Sequence, residues 1–73
     1  MIKKDFHGWT VEDTLREIDR IVGEIRLNRR VENAEFITGR GIIRHSLLDH
    51  LSQYNLNPNL QWGNDGVVVV SIQ

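Results

Sequence analysis

The sequence predicts one small α/β domain, spanning residues 1–73, in which the element order is strand, helix, strand, helix, strand, strand. Three observations predict it: short apolar or alternating runs near residues 2–7, 34–37 and 60–72; two longer segments with apolar side chains at spacings of three and four; and glycine-bearing turns between them. A strand-helix-strand unit joins parallel neighbours by a right-handed crossover, so the carboxyl ends of the first two strands fall on one edge of the sheet. Open α/β sheets place their ligands at that edge.

Ile2, Lys4 and Phe6 alternate with Lys3, Asp5 and His7, which predicts the first strand, and Gly8 marks the turn out of it. Thr10-Val11-Glu12-Asp13 has the form of a helix cap, with acid in the first turn where the helix dipole favours it. Val11, Leu15, Ile18, Val22 and Ile25 then put one apolar stripe on a helix running to about residue 28, with Gly23 expected at a close approach to the sheet. Arg29 to Asn33 is a polar connection, and Ala34 to Ile37 is a compact second strand ending at Thr38 and Gly39. The second helix begins near Gly41, buries Ile43, Leu47, Leu51 and Tyr54 with Leu48 beside them, and closes around Asn55 to Asn59. Leu60 to Trp62 is a short strand, Gly63-Asn64-Asp65-Gly66 carries turn chemistry, and the β-branched run Val67 to Ile72 is the closing strand.

Composition narrows the function classes. With 40% apolar and 26% charged residues the chain is a folded domain, and with no cysteine it has no disulfide scaffold, thiolate metal cluster or cysteine nucleophile. The missing cysteine fits a reducing cytosol, so a cytoplasmic location is expected. Lys3 and Lys4 have no apolar stretch behind them, and Val67 to Val70 is too short to cross a bilayer, so neither a secretory signal nor a membrane partner is expected. The net charge of −1 argues against indiscriminate nucleic-acid binding. That average conceals a split. Residues 10–25 carry five acidic side chains against Arg16 and Arg20, whereas residues 26–50 carry Arg26, Arg29, Arg30, Arg40 and Arg44 against Glu32, Glu35 and Asp49. A local basic face is compatible with this segregation.

Two short cassettes carry the chemistry. The second helix opens with Gly39-Arg40-Gly41-Ile42-Ile43-Arg44 and has no acid before Asp49, so its amides and dipole remain available to an anion, with two guanidinium groups beside them and the Thr38 hydroxyl as a further donor. A phosphate is the natural guest; the alternative is a tight turn in which glycine supplies only a positive φ. The spacing is not that of a Walker loop. Asp5 and His7, two apart on one strand face, can form a pair in which the carboxylate fixes the imidazole tautomer and His7 moves protons in phosphodiester hydrolysis, with Arg40 and the amides holding phosphoryl charge. The alternative is a strand end closed by local hydrogen bonds. Asp5 could also be a ligand of a divalent ion such as magnesium; the sequence has no His-x-x-x-His or glutamate-bearing zinc pattern and makes no cofactor certain. His45 and His50, five apart, lie on different helix faces. Trp9, next to His7-Gly8, is the better candidate for stacking on a base, while Trp62 is expected to pack in the core or at its rim.

Taken together, Asp5-x-His7-Gly8, Thr10-Val11-Glu12, Ile37-Thr38-Gly39-Arg40-Gly41 with Arg44, and the closing Val67-Val68-Val69-Val70 resemble the small MutS-related (Smr) domain over nearly the whole chain. Lys4 stands where that family commonly has leucine before the aspartate, and Phe6 where it has leucine between aspartate and histidine. The resemblance implies a two-layer sandwich with two helices on one face of a four-stranded mixed sheet, similar to the carboxyl-terminal domain of translation initiation factor three. It also implies binding of DNA or RNA and, in some members, endonuclease cleavage. By position, cleavage falls on Asp5 and His7, and nucleic-acid contact on Thr38, Gly39, Arg40, Gly41 and Arg44. The alternatives are a binding module without chemistry and a domain recruited to a protein or ribonucleoprotein partner.

Overall fold

The computed structural model describes all 73 residues. In chain order the elements are β1 (Ile2–Asp5), α1 (Val11–Leu27), β2 (Glu32–Ile37), α2 (Ile42–Gln53), β3 (Asn59–Gln61) and β4 (Asn64–Ile72). They form one four-stranded mixed sheet in the order β1-β2-β4-β3, with β1 parallel to β2 and both other pairings antiparallel.

Side chains alternate across each strand, and one face of the sheet takes the apolar set. Phe36 lies opposite Val68 and Ala34 opposite Val70, and these join Phe6 and Ile72 in a single core with Ile18, Ile21, Val22 and Ile25 of α1 and Leu47 and Leu51 of α2. Both helices therefore cover the same face, as the two-layer expectation required. The opposite face stays open and is mixed in character: Ile37, Val67 and Val69 lie on it beside Lys3, which pairs with Glu35 at 3.5 Å, and Gln61, which donates to Glu35 at 3.4 Å. Lys4, on the helix side, reaches Glu17 at 3.6 Å, and this pair together with the Arg20 guanidinium holds the Glu17 carboxyl below its ordinary range. No helix is long and apolar enough to cross a membrane.

Four details differ from the sequence expectation. β2 starts at Glu32, inside the expected polar connection, because Glu32 and Asn33 find ladder partners in Ile72 and Ser71. β4 starts at Asn64, inside the expected turn, because the reversal is made by Trp62 and Gly63 alone, the latter at φ 79°. The buried stripe of α1 includes Thr14, whose hydroxyl is satisfied by the Thr10 carbonyl at 2.8 Å, and Ile21, while Val11 and Leu15 are only half-buried. Gly23 does not approach the sheet; a Cβ added there would meet nothing within 4 Å.

Candidate functional site

β1 and β2 end on one edge, as the parallel pairing dictates. Asp5 lies opposite Ile37, and the chain keeps this register one residue further, where the Phe6 amide donates to the Ile37 carbonyl at 2.8 Å. Phe6 is fully buried, so the next residue, His7, emerges at the rim with its side chain exposed. The Asp5 carboxylate accepts the main-chain amide of His7 at 2.8 Å. This corrects the expected carboxylate–imidazole pair. An aspartate two residues before an amide closes a local turn at little entropic expense, and that bond wins over one to the ring. Gly8 at φ 82° and the Trp9 amide, donating to the Phe6 carbonyl at 3.0 Å, complete the turn into α1.

The edge of β2 is organised by the hairpin that follows α2. A bulge at Leu60/Gln61 interrupts the β3 ladder, so that Gln61 pairs with Asn64 and the following residues turn toward the β2–α2 loop. The Gly66 carbonyl accepts the amides of both Thr38 and Gly39, at 2.9 and 3.0 Å. The Thr38 hydroxyl donates to the Gly39 carbonyl at 2.9 Å. Thr38 is buried and its donors are spent inside the fold, which corrects its expected place as a ligand donor. Gly39, at φ 71°, is required by the turn itself and its amide is likewise used.

Beyond Gly39 the donors open. The amides of Arg40, Gly41, Ile42, Ile43 and Arg44 have no acceptor within the chain, α2 has no side-chain cap, and its first turn contains no acid. Gly41 is at φ −99°, so the backbone does not demand glycine there, and a Cβ would meet nothing within 4 Å. Arg40 and Arg44 flank the amides, each tethered to Asp65: Nε of Arg40 lies 2.7 Å from the carboxylate, and Nη1 of Arg44 donates to the Asp65 carbonyl at 3.0 Å. Sequence reasoning missed Asp65, because only the hairpin's register brings it to this loop.

Of the other arginines of the expected basic face, Arg26 and Arg30 are committed elsewhere and Arg29 makes no ion pair. Arg26 donates to the carbonyls of Gln73 and Tyr54, both at 2.9 Å, and Arg30 lies near Glu24 and Glu32. His50 and Tyr54 of α2 both bond Asp19 of α1, well away from the edge. No three His, Asp or Glu side chains converge as a metal-binding group. Of the two tryptophans, Trp62 departs from the expected core or rim position, while Trp9 packs on one side and stays 37% exposed. Trp9 packs edge-on against Phe6 with ring centroids 5.0 Å apart and Lys4 over its ring, whereas Trp62 is 98% exposed.

The molecule is thus a two-layer α/β domain with an uncapped helix start, free of acid in its first turn, at the carboxyl ends of its parallel strands. No protein-family model matches the chain, and no curated protein does. Among solved structures, the Smr domain of Thermus thermophilus MutS2 superposes with a TM-score of 0.75 at 22% identity, covering 100% of this chain and 99% of that one. The chain has the fold of the Smr domain over its entire length, as the motifs led one to expect.

Proposed function

We propose that this domain binds DNA or RNA through its phosphate backbone at the edge formed by His7 and the start of α2. One observation carries the proposal: five unpartnered amides at an uncapped helix end with no acid in its first turn, flanked by Arg40 and Arg44. A phosphate seated there receives several N–H donors, the positive end of the helix dipole and two guanidinium groups. The likeness in fold to an Smr domain supports it. Asp65 restrains the interaction, since a phosphate competes with its carboxylate for the same arginines. The Smr-type assignment of contact to Thr38 and Gly39 is accordingly structural: they shape the loop, and residues 40–44 meet the ligand.

A second reading, phosphodiester cleavage, is favoured by the exposed imidazole of His7 on the same edge. His7 would accept a proton from the attacking water or deliver one to the leaving oxygen, while Arg40 and the amides hold the charge growing on the non-bridging oxygens. Asp5 acts as a positioning residue, holding the main chain of His7 rather than its ring. Wild type, His7→Ala and the Arg40→Ala/Arg44→Ala double variant are to be assayed on linear, branched and single-stranded DNA and RNA, with and without magnesium. The double variant should bind all sequences more weakly and lower the salt slope by about 1–2. His7→Ala should keep binding and lose cleavage. Unchanged binding by the double variant at every salt concentration overturns the phosphate site and favours a protein or ribonucleoprotein partner; a wild type that cuts nothing leaves a binding module without chemistry.

A further inference from the structure

Trp62 is left unexplained by the fold. It occupies one of the two loop positions between β3 and β4, where turn chemistry asks for small or polar residues and where only Gly63 adopts a positive φ. Its indole touches no core: it is 98% exposed, while Phe6 and Phe36 are fully buried and Tyr54 packs against the core cluster. Keeping so large an apolar ring in water contributes nothing to folding.

Its location gives it a use. β2 and β4 pair as far as Ile37 opposite Val67, so residues 62–66 project past the carboxyl ends of β1 and β2, on the edge that carries His7 and residues 38–44. The same hairpin is fastened to the α2 start by Asp65 through Arg40 and Arg44, and by Gly66 through Thr38 and Gly39. Asp65 lies three positions after Trp62, which sets their Cα atoms at most ~11 Å apart. An aromatic face and an anion cradle thus stand on one braced unit at the same edge of the sheet. That combination suits a single strand, whose bases are free to leave the stack; in an intact duplex the base faces are covered by their neighbours and an indole cannot reach them.

We propose that Trp62 stacks on an unpaired nucleobase of a strand whose phosphate rests on the amides of residues 40–44, so that this edge prefers single-stranded nucleic acid to a fully paired duplex. The proposal rests on the phosphate-binding reading above and adds the substrate class. The chain has two tryptophans, so Trp9→Phe leaves Trp62 as the sole indole reporter. Titration of that variant with a short oligothymidylate should quench its fluorescence, and the matching duplex should not. By equilibrium binding, Trp62→Ala should weaken single-strand affinity by about five- to a hundredfold and Trp62→Phe should restore part of it, whereas duplex affinity and the salt slope stay the same in all three proteins. If wild type binds both forms and Trp62→Ala binds them equally well, the stacking proposal falls and the phosphate site stands. If wild type binds neither, both fall. A wild-type dimer in sedimentation that dissociates in Trp62→Ala, with single-strand affinity unaltered, assigns the indole to self-association and overturns the proposal.

Discussion

The two strand-to-helix junctions of this domain lie side by side on one edge, and their chemistry is opposite. At the first, the main chain is tied locally: Asp5 holds the His7 amide, the Thr10 hydroxyl caps the Asp13 amide at 3.1 Å, and Glu12 and Asp13 stand in the first helical turn, where they offset its dipole. At the second, the helix starts without cap or acid, and its amides face outward. Every helix leaves its first amides without an intrahelical partner, and here one start is capped and acidic while its neighbour is neither. The lesson is that the missing cap marks the binding edge more sharply than either glycine does.

The largest effect should come from removing the anchor under the first junction. Phe6 is fully buried against Phe36 and Trp9, so Phe6→Ala should cost about 3–5 kcal/mol, measured by chemical denaturation. A loss under 1 kcal/mol would show that β1 does not depend on this ring. Next comes a direct conversion of the second junction into the first. Gly41→Asp supplies a cap and an acid at a position whose φ tolerates both; it should raise the melting temperature slightly and reduce nucleic-acid affinity about tenfold or more, through competition for the amides and repulsion of phosphate. Retained affinity would remove the α2 start from the binding edge. The reciprocal change, Thr10→Ala, should cost about 1 kcal/mol of stability and leave affinity intact, because that helix start is not offered to ligand.

Much of this contrast was legible in the sequence. The element order, the parallel β1–β2 edge, the acid in the first helix start and its absence from the second can all be read from spacing and residue type. What could not be read depends on pairing across the chain. Thr38 looks like a donor until the Gly66 carbonyl and the turn consume its groups; Asp65 looks like a turn residue until the bulged hairpin delivers it to Arg40 and Arg44. Trp62 is not in the core or at its rim because it sits on a hairpin tip with nothing above it, whereas Trp9 leans on Phe6 and remains partly exposed. Gly23 is the simplest miss: helical glycine suggests close packing, yet this one faces open space. Gly23→Ala should therefore stabilise the domain by about 0.4–1 kcal/mol without touching either junction, an outcome thermal melting reads directly.

The smallest effects come from the cross-link that sets the two helices, and with them both junctions, relative to each other. Asp19 of α1 accepts bonds from Tyr54 and His50 of α2, and these hold its carboxyl below the ordinary 3.8. A lowered folded value means that the contribution is present above the unfolded pKa and is lost as pH falls through the folded one, so it gives an acid limb below about pH 4. The same carboxylate raises the Tyr54 phenol above its ordinary 10.0, and here the sign reverses: stability is present below that value and disappears as pH rises through the folded one. Both groups are partly exposed, so Tyr54→Phe should cost less than about 1 kcal/mol at neutral pH. In denaturation curves from acid to alkali it should also abolish the alkaline limb and shrink the acid one, the remainder being held by His50. Because the cross-link lies away from the edge, nucleic-acid affinity at neutral pH should not change; a drop in affinity would show that the relative setting of the helices, and not the α2 start alone, shapes the binding edge.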